Sequence, residues 1–124
     1  MVKQKTILII DDEPDIVNLT DKFLKLEEYD TLKCENGRDA LEILKVKHEQ
    51  ISLVLLDIML PEMSGYEILT QIKSKYPNIL VVLFTVKNFN EDIIKGKELG
   101  ADGYLVKAIS GKELLDYVKG ILNA

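Results

Sequence analysis

The chain has 124 residues, 47% hydrophobic and 30% charged, with sixteen basic residues against twenty-one acidic. That is the balance of one folded domain with its own core, and it excludes an intrinsically disordered chain. A net charge of −5 disfavours a nucleic-acid or anionic-membrane surface, and the single cysteine, Cys34, excludes an intrachain disulfide and fits a reducing, cytoplasmic compartment.

In chain order, "TILII" (6–10) is the first continuous apolar run. It is too short for a signal-peptide core and reads as a parallel strand buried on both faces. The acidic stretch "DDEPD" (11–15) follows, then a helical pattern in which Ile16, Leu19, Phe23 and Leu26 recur on one side. Pro14 suits the first turn of that helix, and one of the acids would cap it. "YDTLKC" (29–34) is mixed in character and predicts a strand nearer an edge, with Cys34 a small buried hydrophobe. "ENGRDAL" predicts a turn into a second helix, near whose far end His48 is expected as a solvated residue.

"LVLL" (53–56) predicts another buried strand, ending at Asp57. Pro61 and Gly65 shape the turn behind it, and "SGYE" (64–67) has the Ser-x-x-Glu spacing of a capping box at a third helix. "ILVVLF" (79–84) predicts a strand and falls far short of the ~20 residues of a membrane helix. Gly100 in "ELGADGY" ends a fourth helix. "YLV" (104–106) is read as an inner strand like the others, and Leu114, Leu115, Val118, Ile121 and Leu122 form the apolar face of a last helix. Met1, Met59 and Met63 make no helical stripe.

The alternation predicts one doubly wound α/β domain over residues 1–124, a (βα)5 unit with a five-stranded parallel sheet and helices on both faces. In such a sheet every strand ends on the same edge, where ligands bind. Asp11, Asp12, Asp57, Thr85 and Lys107 all follow or end strands, so they should converge. Asp57 has no capping task, because Ser64 serves the next helix. Like charges about 4 Å apart cost about 4 kcal/mol at an effective dielectric near 20. Lys107 offsets one of the three aspartates, and the two left over invite a hard divalent cation, magnesium above others for a site of few carboxylates. Magnesium, an ammonium and a hydroxyl are what a transferring phosphoryl group needs, and a carboxylate there can itself be the nucleophile.

The motifs "LIIDDEP", "LVLLDIMLPEMSGYE", "LFT" and "GADGYLVK" followed by "SGKELLDYV" resemble, in this order and spacing, those of a response-regulator receiver domain of two-component signalling. The resemblance covers essentially the whole chain. It implies a flavodoxin-like sheet in the order 2-1-3-4-5, and a protein that is not an enzyme on a separate substrate but assists its own phosphorylation and dephosphorylation. Asp57 would take a phosphoryl group from a phosphohistidine of a sensor kinase or phosphotransfer protein. Asp12, Asp57 and the Met59 carbonyl would ligate Mg2+, with Asp11 assisting, and Lys107 would pair with Asp57 and then with the phosphoryl group. Thr85 and Tyr104 would be the switch residues, changing the surface of the fourth helix, fifth strand and fifth helix. It implies a monomer or a phosphorylation-dependent homodimer, with no nucleic-acid or membrane contact by this domain.

The chain departs from the family pattern at Ala108 and Val86, and two further positions bear on the lifetime of a phosphoryl group. Ala108 stands where the family usually has a cis-bonded proline after the lysine, and a trans Lys107–Ala108 bond is expected because cis before a non-proline costs ~3–4 kcal/mol. Val86 stands where a small residue is common and should narrow the path to Asp57. Met59 and Lys87 occupy positions whose side chains influence phosphoryl loss, and an apolar Met59 that cannot orient water predicts a long-lived phosphoryl state. Ala108 and Val86 also favour an alternative, a pseudo-receiver acting by protein contacts alone. A metal-dependent phosphohydrolase fits poorly, since its nucleophile would follow the first strand in an Asp-x-Asp arrangement. A flavodoxin-like FMN carrier fits less well, because "DDEPD" would repel a phosphate.

Overall fold

Strands and helices alternate along the chain: β1 (Thr6–Ile10), α1 (Pro14–Leu26), β2 (Asp30–Cys34), α2 (Gly37–Lys47), β3 (Ile51–Leu56), α3 (Gly65–Lys75), β4 (Leu80–Thr85), α4 (Asn90–Glu98), β5 (Gly103–Val106) and α5 (Gly111–Leu122). These come from a computed structural model that describes residues 5–86 and 90–123, so Met1 and Lys87 lie outside the described residues. The strands form one sheet in the order β2-β1-β3-β4-β5, and every neighbouring pair is parallel. This is the (βα)5 architecture expected.

Successive strand residues point to opposite faces, so an inner strand covered on both sides must be apolar throughout. Ile7, Ile9, Leu53, Leu55, Val82 and Phe84 face α1 and α5, meeting Val17, Leu24, Leu114, Val118 and Leu122. Leu8, Ile10, Val54, Leu56, Val81 and Leu83 face the other way, onto Ala40 and Leu44 of α2 and Ile68, Leu69 and Ile72 of α3. Each fully buried Leu or Ile contributes roughly 1.5–3 kcal/mol, so these two layers are the main source of stability.

Several local expectations need correction. β5 is not an inner strand: it forms the edge beyond β4 and is half-buried along its length. Its apolar run is short because only one neighbour and a thin cover shield it. On α1 the buried residues are Val17, Thr20, Asp21 and Leu24, while Leu19 and Leu26 from the expected apolar stripe are exposed. The face is displaced because Asp21 is satisfied from β2 and from its own helix: Thr31 Oγ1 of β2 donates to its Oδ1, and Lys25 of α1 and Lys33 of β2 reach its Oδ2 at 3.2 and 3.3 Å. A buried carboxylate with three donors can occupy a core-facing position that apolar periodicity would never assign to it.

The helix ends hold two further corrections. Ser64 caps α3 through the Glu67 N–H, but the reciprocal capping box occurs at α5, between Ser110 and Glu113. His48 does sit at the end of α2, yet it is half-buried and stacks on Tyr76 with ring centroids 4.9 Å apart. Gly100 stops α4 as expected. Its φ of +99° permits the pair of bonds from Gly100 N–H to Lys97 O and from Ala101 N–H to Gly96 O that closes the last turn. The Lys107–Ala108 bond is trans. No described helix is long and apolar enough to cross a membrane.

Candidate phosphoacceptor site

The register of the sheet sets the site. Just past the strand ends, backbone N–H groups of three candidate residues still bond to neighbouring strands: Asp11 to Cys34 O, Asp57 to Ile10 O and Lys107 to Thr85 O, at 3.1, 3.0 and 2.8 Å. Residues far apart in sequence are thereby fixed to one rim. Oxygens of Asp11, Asp12, Glu13 and Asp57 all lie within 4.8 Å of one another. Asp11 and Asp57 are buried, whereas Asp12 and Glu13 are exposed.

The Lys107 ammonium sits inside this group with its side chain only 2% exposed. Its Nζ lies 2.6 Å from Asp11 Oδ2, 3.0 Å from Glu13 Oε1 and 3.1 Å from Asp57 Oδ2. Burial alone would lower the lysine pKa, but bonding to Asp11 and Glu13 and the charge of Asp57 outweigh it and raise it, so the group stays cationic. Burial raises the Asp11 carboxyl above its ordinary value, against the opposing pull of Lys107 and of the Glu13 N–H. Asp57 Oδ1 accepts from the Met59 N–H at 3.2 Å, which leaves its two oxygens held by different partners.

Two buried oxygens here have unfilled bonding capacity. Asp11 Oδ2 meets Lys107 as an ion pair off the hydrogen-bond direction, and Thr85 Oγ1, fully buried, has no hydrogen-bond partner among the described residues. Buried polar groups are normally satisfied, so both oxygens are unusual in keeping bonding capacity in reserve. The acids offer only oxygen, the donor set of a hard cation such as Mg2+.

The turn behind Asp57 is as tight as expected. Gly65 N–H bonds to Ile58 O at 2.8 Å, and a Cβ on Gly65 would strike the Asp57 carbonyl oxygen. Met59 and Val86 are both exposed. Tyr104 is half-buried on β5 and packs against the layer containing Leu83 and Ile68. Cys34 is buried, and its thiol is pushed up to about 12 by burial, with the Asp39 charge acting in the same direction, so it is inert.

Glu13 is the residue that sequence reasoning missed. It is one of the four acids of "DDEPD", and the pattern by itself gives it no role. The expectation that one of these acids caps α1 also fails: Glu13 occupies the capping position, yet its side chain makes no cap bond. The carboxylate is turned onto Lys107 instead.

Comparison with known proteins decides the family. The response regulator receiver domain profile matches residues 7–119. This chain belongs to the response-regulator receiver family. It is 36% identical over 96% of its length to the alkaline phosphatase synthesis transcriptional regulatory protein PhoP of Bacillus subtilis, and 37% identical over 99% to a probable transcriptional regulator, ycf27, of Porphyridium aerugineum. The matches cover 49% and 50% of those proteins, so the chain spans about half the length of these relatives. Among solved structures, a CheY-like receiver domain protein from Methanospirillum hungatei superposes with a TM-score of 0.89 at 30% identity, covering 98% of this chain and 95% of that one. Receiver domains are signalling switches of two-component systems and bind Mg2+ at an acidic pocket, and the acidic cluster of this receiver has the composition for it.

Proposed function

We propose that this receiver, over residues 1–124, is a phosphoacceptor switch in which Asp57 takes a phosphoryl group from the phosphohistidine of a sensor kinase or phosphotransfer protein. The observation that carries the reading is the buried Asp57–Lys107 pair, 3.1 Å apart within a group of acids. The ammonium donates to one carboxylate oxygen, and a carboxylate placed in this way can act as a nucleophile. One Asp57 oxygen attacks phosphorus, the P–N bond of the phosphohistidine breaks, and the electron pair leaves with the imidazole. The product is an acyl phosphate on Asp57.

Asp12, Asp57 and the Met59 carbonyl, with Asp11 assisting, would hold Mg2+, which supplies charge stabilisation to the transferring group. Lys107 neutralises a second phosphoryl oxygen, and the unsatisfied Thr85 hydroxyl donates to a third. Thr85 and Tyr104 then carry the change to the surface of α4, β5 and α5, through which a partner or a second copy is bound. Such a switch works only by differential affinity for two states. The names of the curated relatives add control of transcription as the process it serves.

Intact mass after incubation with acetyl phosphate tests the reading. A single phosphoryl adduct is expected with Mg2+, little without it, and none on Asp57→Asn; an unmodified wild-type protein leaves the pseudo-receiver alternative. Val86→Ala should label faster and Met59→Asn should lose the label faster than wild type, as the departures at these positions predict.

A further inference from the structure

Glu13 stands at the position before α1 where an acid's carboxylate ordinarily accepts from the first free N–H groups of the helix, a contact worth ~1 kcal/mol. It forgoes that contact. Its N–H donates to Asp11 Oδ1 at 3.0 Å, and its carboxylate crosses ninety-four positions of sequence to meet Lys107. An ammonium has three N–H donors, and two of these go to Glu13 and Asp57 at 3.0 and 3.1 Å, while Asp11 Oδ2 lies 2.6 Å away as an ion pair. Asp11 and Asp57 are buried, while the Glu13 side chain is 52% exposed. Glu13 is therefore the partner that can turn out into water at least cost.

A phosphoryl group on Asp57 adds acceptor oxygens that compete for the same ammonium. We propose that Glu13 is a positioning residue: it occupies one N–H donor of Lys107 while Asp57 is unmodified, and yields that donor as the phosphoryl group arrives. An interaction made in the ground state and given up in the transition state slows the step, so Glu13 acts as a brake on phosphoryl uptake. The inference rests on Asp57 being the phosphoacceptor, and it names a control on that same site. In the step itself the Asp57 oxygen bonds to phosphorus, the bond from phosphorus to the acetate oxygen of acetyl phosphate breaks, and acetate leaves with the electron pair.

The decisive variant is Glu13→Asp, tested with Glu13→Ala. Aspartate keeps the negative charge and is at least as good a capping residue, but it is one methylene shorter and loses its reach to Lys107. Labelling by acetyl phosphate with Mg2+ is expected to be about fivefold faster for both variants, equivalent to ~1 kcal/mol. In the metal-free protein, the Lys107 side-chain ammonium should give a protected nitrogen-15 NMR signal that exchanges faster with solvent in both variants, which a purely structural role would not produce. Wild-type labelling rate and unchanged ammonium exchange in Glu13→Asp overturn the inference. A fast Glu13→Ala beside a wild-type-like Glu13→Asp overturns it too, in favour of simple charge repulsion. If no protein, wild type included, takes a label, the phosphoacceptor reading falls and the brake falls with it.

Discussion

The two flanks of the sheet are held by different forces. On the side of β1, β2 and β3, the inner strands are buried almost throughout, and α1 is locked to the edge strand by Asp21 with its donors Thr31 and Lys33. On the side of β5, α4 buries only Gly96, and β5 is half-buried along its length. Beside the packing of Gly96 on Leu83, two polar contacts hold α4: Tyr66 of α3 donates to Asp92 at 2.7 Å, and Lys95 lies over the Tyr66 ring at 4.4 Å. Burial, then the bond to Asp92, raises the Tyr66 phenol above its ordinary value, so it remains a donor. The candidate site spans both flanks: Asp11 and Asp57 follow strands of the firm flank, while Lys107 follows β5 and is tied to β4 through its N–H to Thr85 O at 2.8 Å. The loosely covered flank has the low local stability from which moving elements are drawn.

Gly65→Ala should break the firm flank most. A Cβ there would fall on the Asp57 carbonyl oxygen and 2.6 Å from Ile58 Cα, and backbone cannot step aside. A loss of about 2–3 kcal/mol in urea unfolding is expected, together with weakened labelling of Asp57. An unchanged midpoint would mean that this turn is softer than its geometry states.

Asp21→Asn should cost about 1–2 kcal/mol at neutral pH, moderated because Lys25 and Lys33 are largely solvated. Burial would raise the Asp21 carboxyl, but Thr31, Lys25 and Lys33 outweigh it and hold it below its ordinary 3.8. A depressed acid contributes stability above its unfolded value and loses it as pH falls through the folded one. Wild type and variant should therefore differ at pH 7, and the gap should close only as pH falls from 3.8 through the lower folded value, as read by thermal unfolding across pH. A gap that persists in acid would assign the effect to packing.

Tyr66→Phe removes only the hydroxyl that holds Asp92. Hydrogen exchange should rise in α4 by the equivalent of about 1 kcal/mol while β1 and β3 keep their protection. An equal loss in the core strands would erase the distinction between the flanks. The smallest effect is expected at Gly96→Ala. Its Cβ meets Leu83 Cδ1 at 2.6 Å, but that is the end of a flexible side chain, and alanine favours a helix by ~1 kcal/mol. The two should nearly cancel, leaving a change within about 0.5 kcal/mol in urea unfolding, against the large loss at Gly65.

Much of this was legible because local pattern and sheet geometry are coupled. Continuous apolar runs in β1, β3 and β4 could only be strands covered on both faces, and parallel strands bring Asp11, Asp57, Thr85 and Lys107 to one edge. Three features were not legible. Asp21 looks like a surface acid until Thr31 and Lys33 are set beside it. The short run of β5 has the composition of an inner strand, and only its place in the sheet makes it an edge. Glu13 has no role that its neighbours in sequence reveal, and only the fold brings Lys107, ninety-four positions away, to its carboxylate.

The amino-acid order by itself determined the alternation of strands and helices, the helix ends at Ser64 and Gly100, and the set of loops that carry the acids, because each depends on neighbours a few residues apart. Tertiary structure alone decided which face of α1 is buried, which strand is an edge and which carboxylates share the Lys107 ammonium. Those outcomes depend on burial and on competition among partners distant in sequence, and neither exists until the sheet is assembled.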